Sequence, residues 1–227
     1  MKNETRKNQE NIFRELFQKN YGTPMSVSSE SLNHKKQRFS KVCDIFKDDN
    51  DITIHDVGMG VADLYGFIQE SHSQKKILYS GTEILKEYVE EASVRFPDLA
   101  FFHRDIAEKS FDDTYDYLLM SGVFHQRRES SIRQWEKFYQ EIIKNSFAMC
   151  KKGIAFNFIS PFVDFYQTPV YYCNLPKLIN FINDDLSRFF EIKHDYALYE
   201  FTVFVYQESY IKSKTVQPEF QKYFKND

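Results

Sequence analysis

Apolar positions recur along the chain in two alternating rhythms. Ile12, Phe13, Leu16 and Phe17 stand at helical spacing over residues 8–19, and a turn at Tyr21-Gly22-Thr23-Pro24 ends that segment. Leu32, Phe39, Val42 and Phe46 repeat the spacing as far as the acidic turn Asp48-Asp49-Asn50-Asp51. There the period changes. Ile52-Thr53-Ile54-His55-Asp56-Val57 is rich in β-branched residues, stops at Gly58-Met59-Gly60, and gives way to Leu64, Phe67 and Ile68 at helical spacing again. The pattern predicts a strand, a glycine turn and a helix.

The same alternation predicts strands over 76–80, 99–103, 115–120 and 153–159, interleaved with helices over 84–96, 131–149 and 175–189. Parallel strands need helix-length crossovers, so units of this kind build a mainly parallel sheet with helices on both faces. Two last strands, over 190–196 and 201–207, are separated by only a few residues around Leu198, which permits antiparallel pairing alone. The expected fold is therefore α/β and Rossmann-like, a mainly parallel seven-stranded sheet finished by a C-terminal antiparallel hairpin. At 227 residues a single domain is expected, with an N-terminal helical cap over 1–48, a core over 50–208 and a polar tail over 209–227.

Composition narrows the function classes. With 30 basic and 33 acidic residues the chain shows no basic surplus for a polyphosphate backbone, so no nucleic-acid partner is expected. Cys43, Cys150 and Cys173 are far apart and lack C-x-x-C spacing, which suggests neither zinc nor disulfides but reduced thiols in a cytoplasmic protein. No His and Asp cluster suggests another metal. Residues 1–18 are polar, and no run of about eighteen apolar residues occurs, so neither secretion nor membrane spanning is expected. The 23 Phe and 15 Tyr, many of them within 156–224, read as strand packing.

Candidate chemistry begins at Asp56-Val57-Gly58-Met59-Gly60-Val61-Ala62-Asp63. Glycines between a strand and its helix let the backbone approach a ligand, and the free N–H groups at the helix start favour a polar or anionic group. A dinucleotide fingerprint would place glycine at position 63, where Asp63 stands instead and brings negative charge. The G-x-x-x-x-G-K-[ST] loop of phosphate binders does not occur.

An acidic residue followed by G-x-G-x-G at the end of the first strand is the first motif of the class I S-adenosylmethionine-dependent methyltransferases, and the chain resembles that family here. Asp56, Gly58 and Gly60 match, with Met59 inside the turn and Ala62 where a third glycine is common. Further matches follow in order over about residues 50–206. The resemblance implies that Glu83, at the end of the second strand with Ile84 beside it, accepts hydrogen bonds from the ribose hydroxyls. It implies that Asp105 and Ile106 meet the adenine, and that Ser121 and Gly122 lie near the methionine moiety. Arg38 is a candidate for the methionine carboxylate, since a guanidinium matches a carboxylate fork, against the plainer reading as an exposed helical arginine. The implied cofactor is S-adenosyl-L-methionine, with S-adenosyl-L-homocysteine as product.

Methyl transfer asks the protein to align an acceptor and, where needed, deprotonate it. His125 follows the fourth strand at the sheet's carboxyl edge and is the candidate catalytic base, beside its reading as a surface histidine. His194 and Asp195 are adjacent on a predicted strand and so face opposite ways. Hairpin packing is the stronger reading of Tyr196, Tyr199 and Glu200, over the lining of an acceptor pocket. Ser121-Gly122-Val123-Phe124 lacks the [DNS]-P-P-[YFW] pattern that marks amino methylation in this family. The expected activity is thus O-methylation of a small-molecule acceptor, a sugar, sugar nucleotide or secondary metabolite. A noncatalytic cofactor-binding partner subunit and a nucleotide-binding oxidoreductase are the alternatives, and the oligomeric state stays open.

Overall fold

The structure, a computed structural model, describes residues 2–20 and 31–224; the turn expected at Tyr21-Gly22-Thr23-Pro24 lies outside them. Two helices, α1 (Lys2–Asn20) and α2 (Leu32–Cys43), precede the sheet. The core then alternates β1 (Asp51–Val57), α3 (Asp63–Ser71), β2 (Lys76–Glu83), α4 (Lys86–Arg95), β3 (Ala100–His103), β4 (Tyr115–Met120), α5 (Ile132–Ala148), β5 (Cys150–Ile159), α6 (Leu175–Asp185), β6 (Phe190–Lys193) and β7 (Glu200–Tyr206). The tail expected to be polar carries a short helix, α7 (Glu208–Lys214), and a 3₁₀ turn at Pro218–Tyr223.

The seven strands form one sheet in the order β3-β2-β1-β4-β5-β7-β6. All neighbours are parallel except β7, which runs antiparallel to both β5 and β6. The C-terminal hairpin expected from the sequence is present, and its second strand is the one inserted beside β5. The sheet is mixed and mostly parallel, as expected.

Strand periodicity sorts the core into two layers. On β4, Tyr117 and Leu119 face the layer formed with α2 and α3, whereas Leu118 and Met120 face the layer formed with α5 and α6. Sequence chemistry fixes where the helices start. Ser131 accepts from the Gln134 backbone N–H while the Gln134 side chain accepts from Ser131, a capping box at the head of α5. Asn174 caps α6, with a proline in its first turn. The three cysteines are free and buried, and among the described residues no helix is long and apolar enough to cross a membrane.

The residue before α3 carries strain. Gly58 and Gly60 have φ of 71° and 56°, and Ala62, buried at the N-cap of α3, has φ 60° and ψ 36°, a left-handed conformation that glycine adopts freely. Glycine there would relieve about 1–2 kcal/mol of strain. It would also lose about 0.8 kcal/mol of methyl burial and loosen the unfolded chain by about 0.4–1 kcal/mol. Ala62→Gly should therefore change stability by no more than about 1 kcal/mol, whereas Ala62→Val, β-branched in a left-handed well, should lose more than about 2 kcal/mol. Urea unfolding of the two variants checks this, and equal destabilisation would contradict it.

Candidate functional site

Strand order reverses between β1 and β4, and open α/β sheets form their crevice outside the carboxyl ends of the strands at such a point. A cleft lies there with about 1290 Å³ of empty space, open mouth included. The residues assigned from the sequence to the cofactor and to the base line it: Arg38, Asp56, Gly58, Met59, Gly60, Glu83, Ile84, Asp105, Ile106, Ser121, Gly122 and His125.

The floor is built by backbone approach. The N–H groups of Gly58 and Met59 donate to the Thr82 carbonyl at 2.9 and 3.2 Å, tying the glycine turn to β2. A Cβ at Gly58 would sit 2.8 Å from a Val123 methyl, and one at Gly122 would sit 2.7 Å from Arg38 Nη1, so both turns hold their shape through missing side chains. Glu83 braces the two turns together. Its Oε2 accepts from Gly60 N–H at 3.1 Å, and its Oε1 accepts from Ile84 and Leu85 N–H at 2.7 and 3.2 Å. A carboxylate has about four acceptor directions; one, on Oε2, is left for a ligand.

Asp56 is buried and accepts from the Tyr79 hydroxyl at 2.5 Å. Burial pushes its carboxyl up to about 7, against the pull of that hydrogen bond. Asp105 accepts from Ala107 N–H at 2.8 Å and pairs with Arg6 of α1 at 3.2 Å. Helix α1 thus caps the cleft, with Gln9 and Phe13 in its wall and Gln9 donating to the Gln126 carbonyl at 3.0 Å. Asp63, the residue that breaks the dinucleotide fingerprint, pairs with Lys35 and with Arg95. Burial raises its carboxyl, but the two cations outweigh this and hold it below its ordinary value. Its charge is thus compensated, and what disfavours a pyrophosphate there is the missing glycine.

At the far end the wall becomes a buried polar network. Arg38 pairs with Glu200 at 3.3 Å, so the exposed reading of Arg38 does not hold. Asn157 accepts from Gly122 N–H at 2.7 Å and donates to Glu200 at 2.5 Å, and its amide nitrogen lies 3.1 Å from His125 Nε2. Burial, then the Arg38 charge, holds His125 well below its ordinary value, leaving the imidazole neutral. Burial pushes Glu200 up to about 7, although Arg38 and Asn157 draw it down. Hairpin packing explains Tyr196, which bonds Thr202 and lies under Lys41, but not Glu200. His194 packs near Phe162 and Asp195 pairs with Lys41, so they form no dyad. The sequence reading missed Asn157, whose signal was a single amide inside the apolar run of β5.

Three cavity residues, Thr82, Ser121 and Gln126, hold a buried side-chain oxygen with no partner among the described residues, which leaves polar atoms in the wall for a ligand to meet. Among the described residues no group of three or more His, Cys, Asp or Glu is placed to hold a metal ion.

No family model matches the chain. A Mycobacterium tuberculosis (strain ATCC 25618 / H37Rv) protein, provisionally named a methyltransferase, is 28% identical over 160 residues, which is 69% of this chain and 94% of that protein. Magnesium protoporphyrin IX methyltransferase of Synechocystis PCC 6803, solved with bound SAM, superposes with a TM-score of 0.59 at 14% identity, over 87% of this chain and 96% of that one. The N-methyltransferase NodS of Bradyrhizobium japonicum WM9, solved with S-adenosyl-L-homocysteine, gives 0.61 at 10% identity, over 88% and 97%. The fold is that of the class I methyltransferases, and these likenesses support the family resemblance drawn from Asp56, Gly58 and Gly60.

The raised carboxyls have a stability consequence with a definite sign. Asp56 and Glu200 bind protons more tightly folded than unfolded, where carboxyls titrate near ~4. The ligand-free protein should therefore lose stability as pH rises from about 4 to about 7 on their account, and level off above that. Asp56→Asn should flatten its share of the slope and be more stable than wild type at pH 8. Chemical unfolding at pH 5 and pH 8 measures both; a variant that keeps the wild-type slope would show that Asp56 is not the group titrating.

Proposed function

We propose that this chain is an S-adenosylmethionine-dependent methyltransferase that methylates an oxygen of a small-molecule acceptor, a sugar, sugar nucleotide or secondary metabolite. One observation carries the reading: strand-end carboxylates at 56 and 83, the glycine turn, the Arg38 guanidinium and unpartnered hydroxyls on Thr82 and Ser121 converge on a single cleft at the sheet's switch point. The donor set suits the cofactor. Glu83 offers a remaining acceptor direction to a ribose hydroxyl, Asp56 faces positive charge, Arg38 suits a carboxylate, and Ile106 gives an apolar wall for a flat ring. When bound, S-adenosylmethionine supplies a methyl group on a sulfonium, whose departure as the neutral thioether needs no acid from the protein.

The chain's own residues then have limited tasks. The cap formed by Gln9 and Phe13 screens the cleft from water, and the Arg6 pair with Asp105 holds that cap over the adenine end. Ser121 and Gly122 set the backbone beside the reacting centre. His125, next along the same loop, is the residue proposed to meet the acceptor. A nucleotide-binding oxidoreductase would share the sheet and the first turn, and a noncatalytic subunit would share the cofactor site as well; binding and turnover separate the three.

Calorimetry should find S-adenosylmethionine and S-adenosylhomocysteine bound and NAD not bound. Glu83→Ala should weaken both by at least about tenfold, the scale of one hydrogen bond to a charged group. NAD binding indifferent to that change would move the chain to the oxidoreductases. His125→Ala should cut turnover at least about tenfold while leaving cofactor affinity within about twofold. Full turnover in that variant would remove His125 from the acceptor site.

A further inference from the structure

The buried network behind the cleft holds more information than cofactor binding requires. Asn157 is fully buried near the carboxyl end of β5 between Phe156 and Phe158, where an amide is retained only if its polar atoms are satisfied. Its orientation is not arbitrary. The Gly122 backbone N–H can only donate, so the atom it meets at 2.7 Å is the amide oxygen. The amide nitrogen then faces Glu200 Oε2 at 2.5 Å and His125 Nε2 at 3.1 Å, and it has a hydrogen for each.

His125 Nε2 must therefore accept. A hydrogen on Nε2 would oppose the Asn157 hydrogen, and Glu200 Oε2, 3.7 Å away, is too far to receive it. An imidazolium is opposed by burial and by the neighbouring Arg38 charge. The proton of the neutral ring sits on Nδ1. Since His125 lines the cleft and Nε2 is taken, Nδ1 is the ring nitrogen left to a ligand.

We infer that Asn157 is a positioning residue that locks His125 as a hydrogen-bond donor to the methyl acceptor, and that the acceptor's reacting group is a carboxylate. This rests on the methyltransferase reading of the cleft. A donor cannot take up a proton, so the base expected of His125 is not what the lock presents. A hydroxyl acceptor leaves a proton to be placed when its oxygen gains the methyl group, and an amine needs its lone pair for attack and offers hydrogens to a donor. A carboxylate is ionised at neutral pH. One of its oxygens accepts from Nδ1–H while the other forms the new O–CH₃ bond, and the product ester leaves no proton to remove.

The test is nuclear magnetic resonance of ¹⁵N-histidine protein saturated with S-adenosylhomocysteine, with His125 identified among the six histidines by the signals lost in His125→Phe. Wild type should show His125 neutral from pH 6 to pH 8 with the hydrogen on Nδ1. Asn157→Asp, whose Oδ2 would share one proton with the facing Glu200 Oε2 and turn a lone pair toward the ring, should move the hydrogen to Nε2. Benzoate should shift the Nδ1–H signal and bind at least about tenfold more tightly than benzyl alcohol, the scale of one charge-assisted hydrogen bond, a preference lost in His125→Phe. A wild-type hydrogen on Nε2, a His125 titration within that range, or benzyl alcohol bound as tightly as benzoate would each overturn the inference, with no dependence on whether Asn157→Asp folds. Failure to bind S-adenosylhomocysteine would fail the cleft reading instead, and the tautomer of the ligand-free protein would still decide the lock.

Discussion

The site depends on one buried carboxylate. Glu83 reaches from the end of β2 to the glycine turn after β1 and to the first amides of its own turn, so the two turns beyond the paired strand ends are joined through one side chain. Burial raises its carboxyl and three backbone N–H groups draw it back, the balance that lets a charge stay where water is excluded. Because the same side chain faces the cleft, its structural and ligand-facing tasks share one set of lone pairs.

The remaining charges are arranged around that brace at different degrees of compensation. Asp63 is answered by Lys35 and Arg95, Asp105 by Arg6 of the capping helix, and Glu200 by Arg38. Among the described residues Asp56 has the Tyr79 hydroxyl and no cation against it. A buried carboxyl held by a single neutral hydrogen bond destabilises the empty protein, and a cationic ligand would restore what is lost. Such local instability at a cleft is common where binding has been favoured over rigidity.

Much of this was legible in the sequence because it is local. Periodicity changes marked the seven strands and the helices as far as α6, the glycine turn announced itself between β1 and α3, and residues at strand ends were bound to converge once the sheet was parallel. The left-handed backbone at Ala62 explains why glycine is common at that position. What was not legible is contact across sequence distance. Arg6 reaching Asp105 requires α1 to run from Lys2, beyond the expected 8–19, and to lie across the cleft. The tail packs because Tyr210 meets Tyr117 at 2.9 Å between hydroxyls and Arg188 meets Glu208, pairings that no local pattern encodes.

The antiparallel insertion of β7 connects these points. Had the last strand been parallel, Glu200 would lie at the opposite edge of the sheet; running backwards beside β5, β7 begins where the other strands end and pairs Glu200 with Ile159 and Thr202 with Asn157. A strand reversal expected from a short connection near Leu198 therefore delivers a carboxylate to the carboxyl edge, where Arg38 and Asn157 receive it. From there the Asn157 amide, oriented by the Gly122 N–H, determines which face of the His125 ring chemistry the cleft presents. The topology of the final hairpin thus reaches the His125 end of the cleft through side chains that are paired across sequence distance, and a change in any one of them is felt at the imidazole.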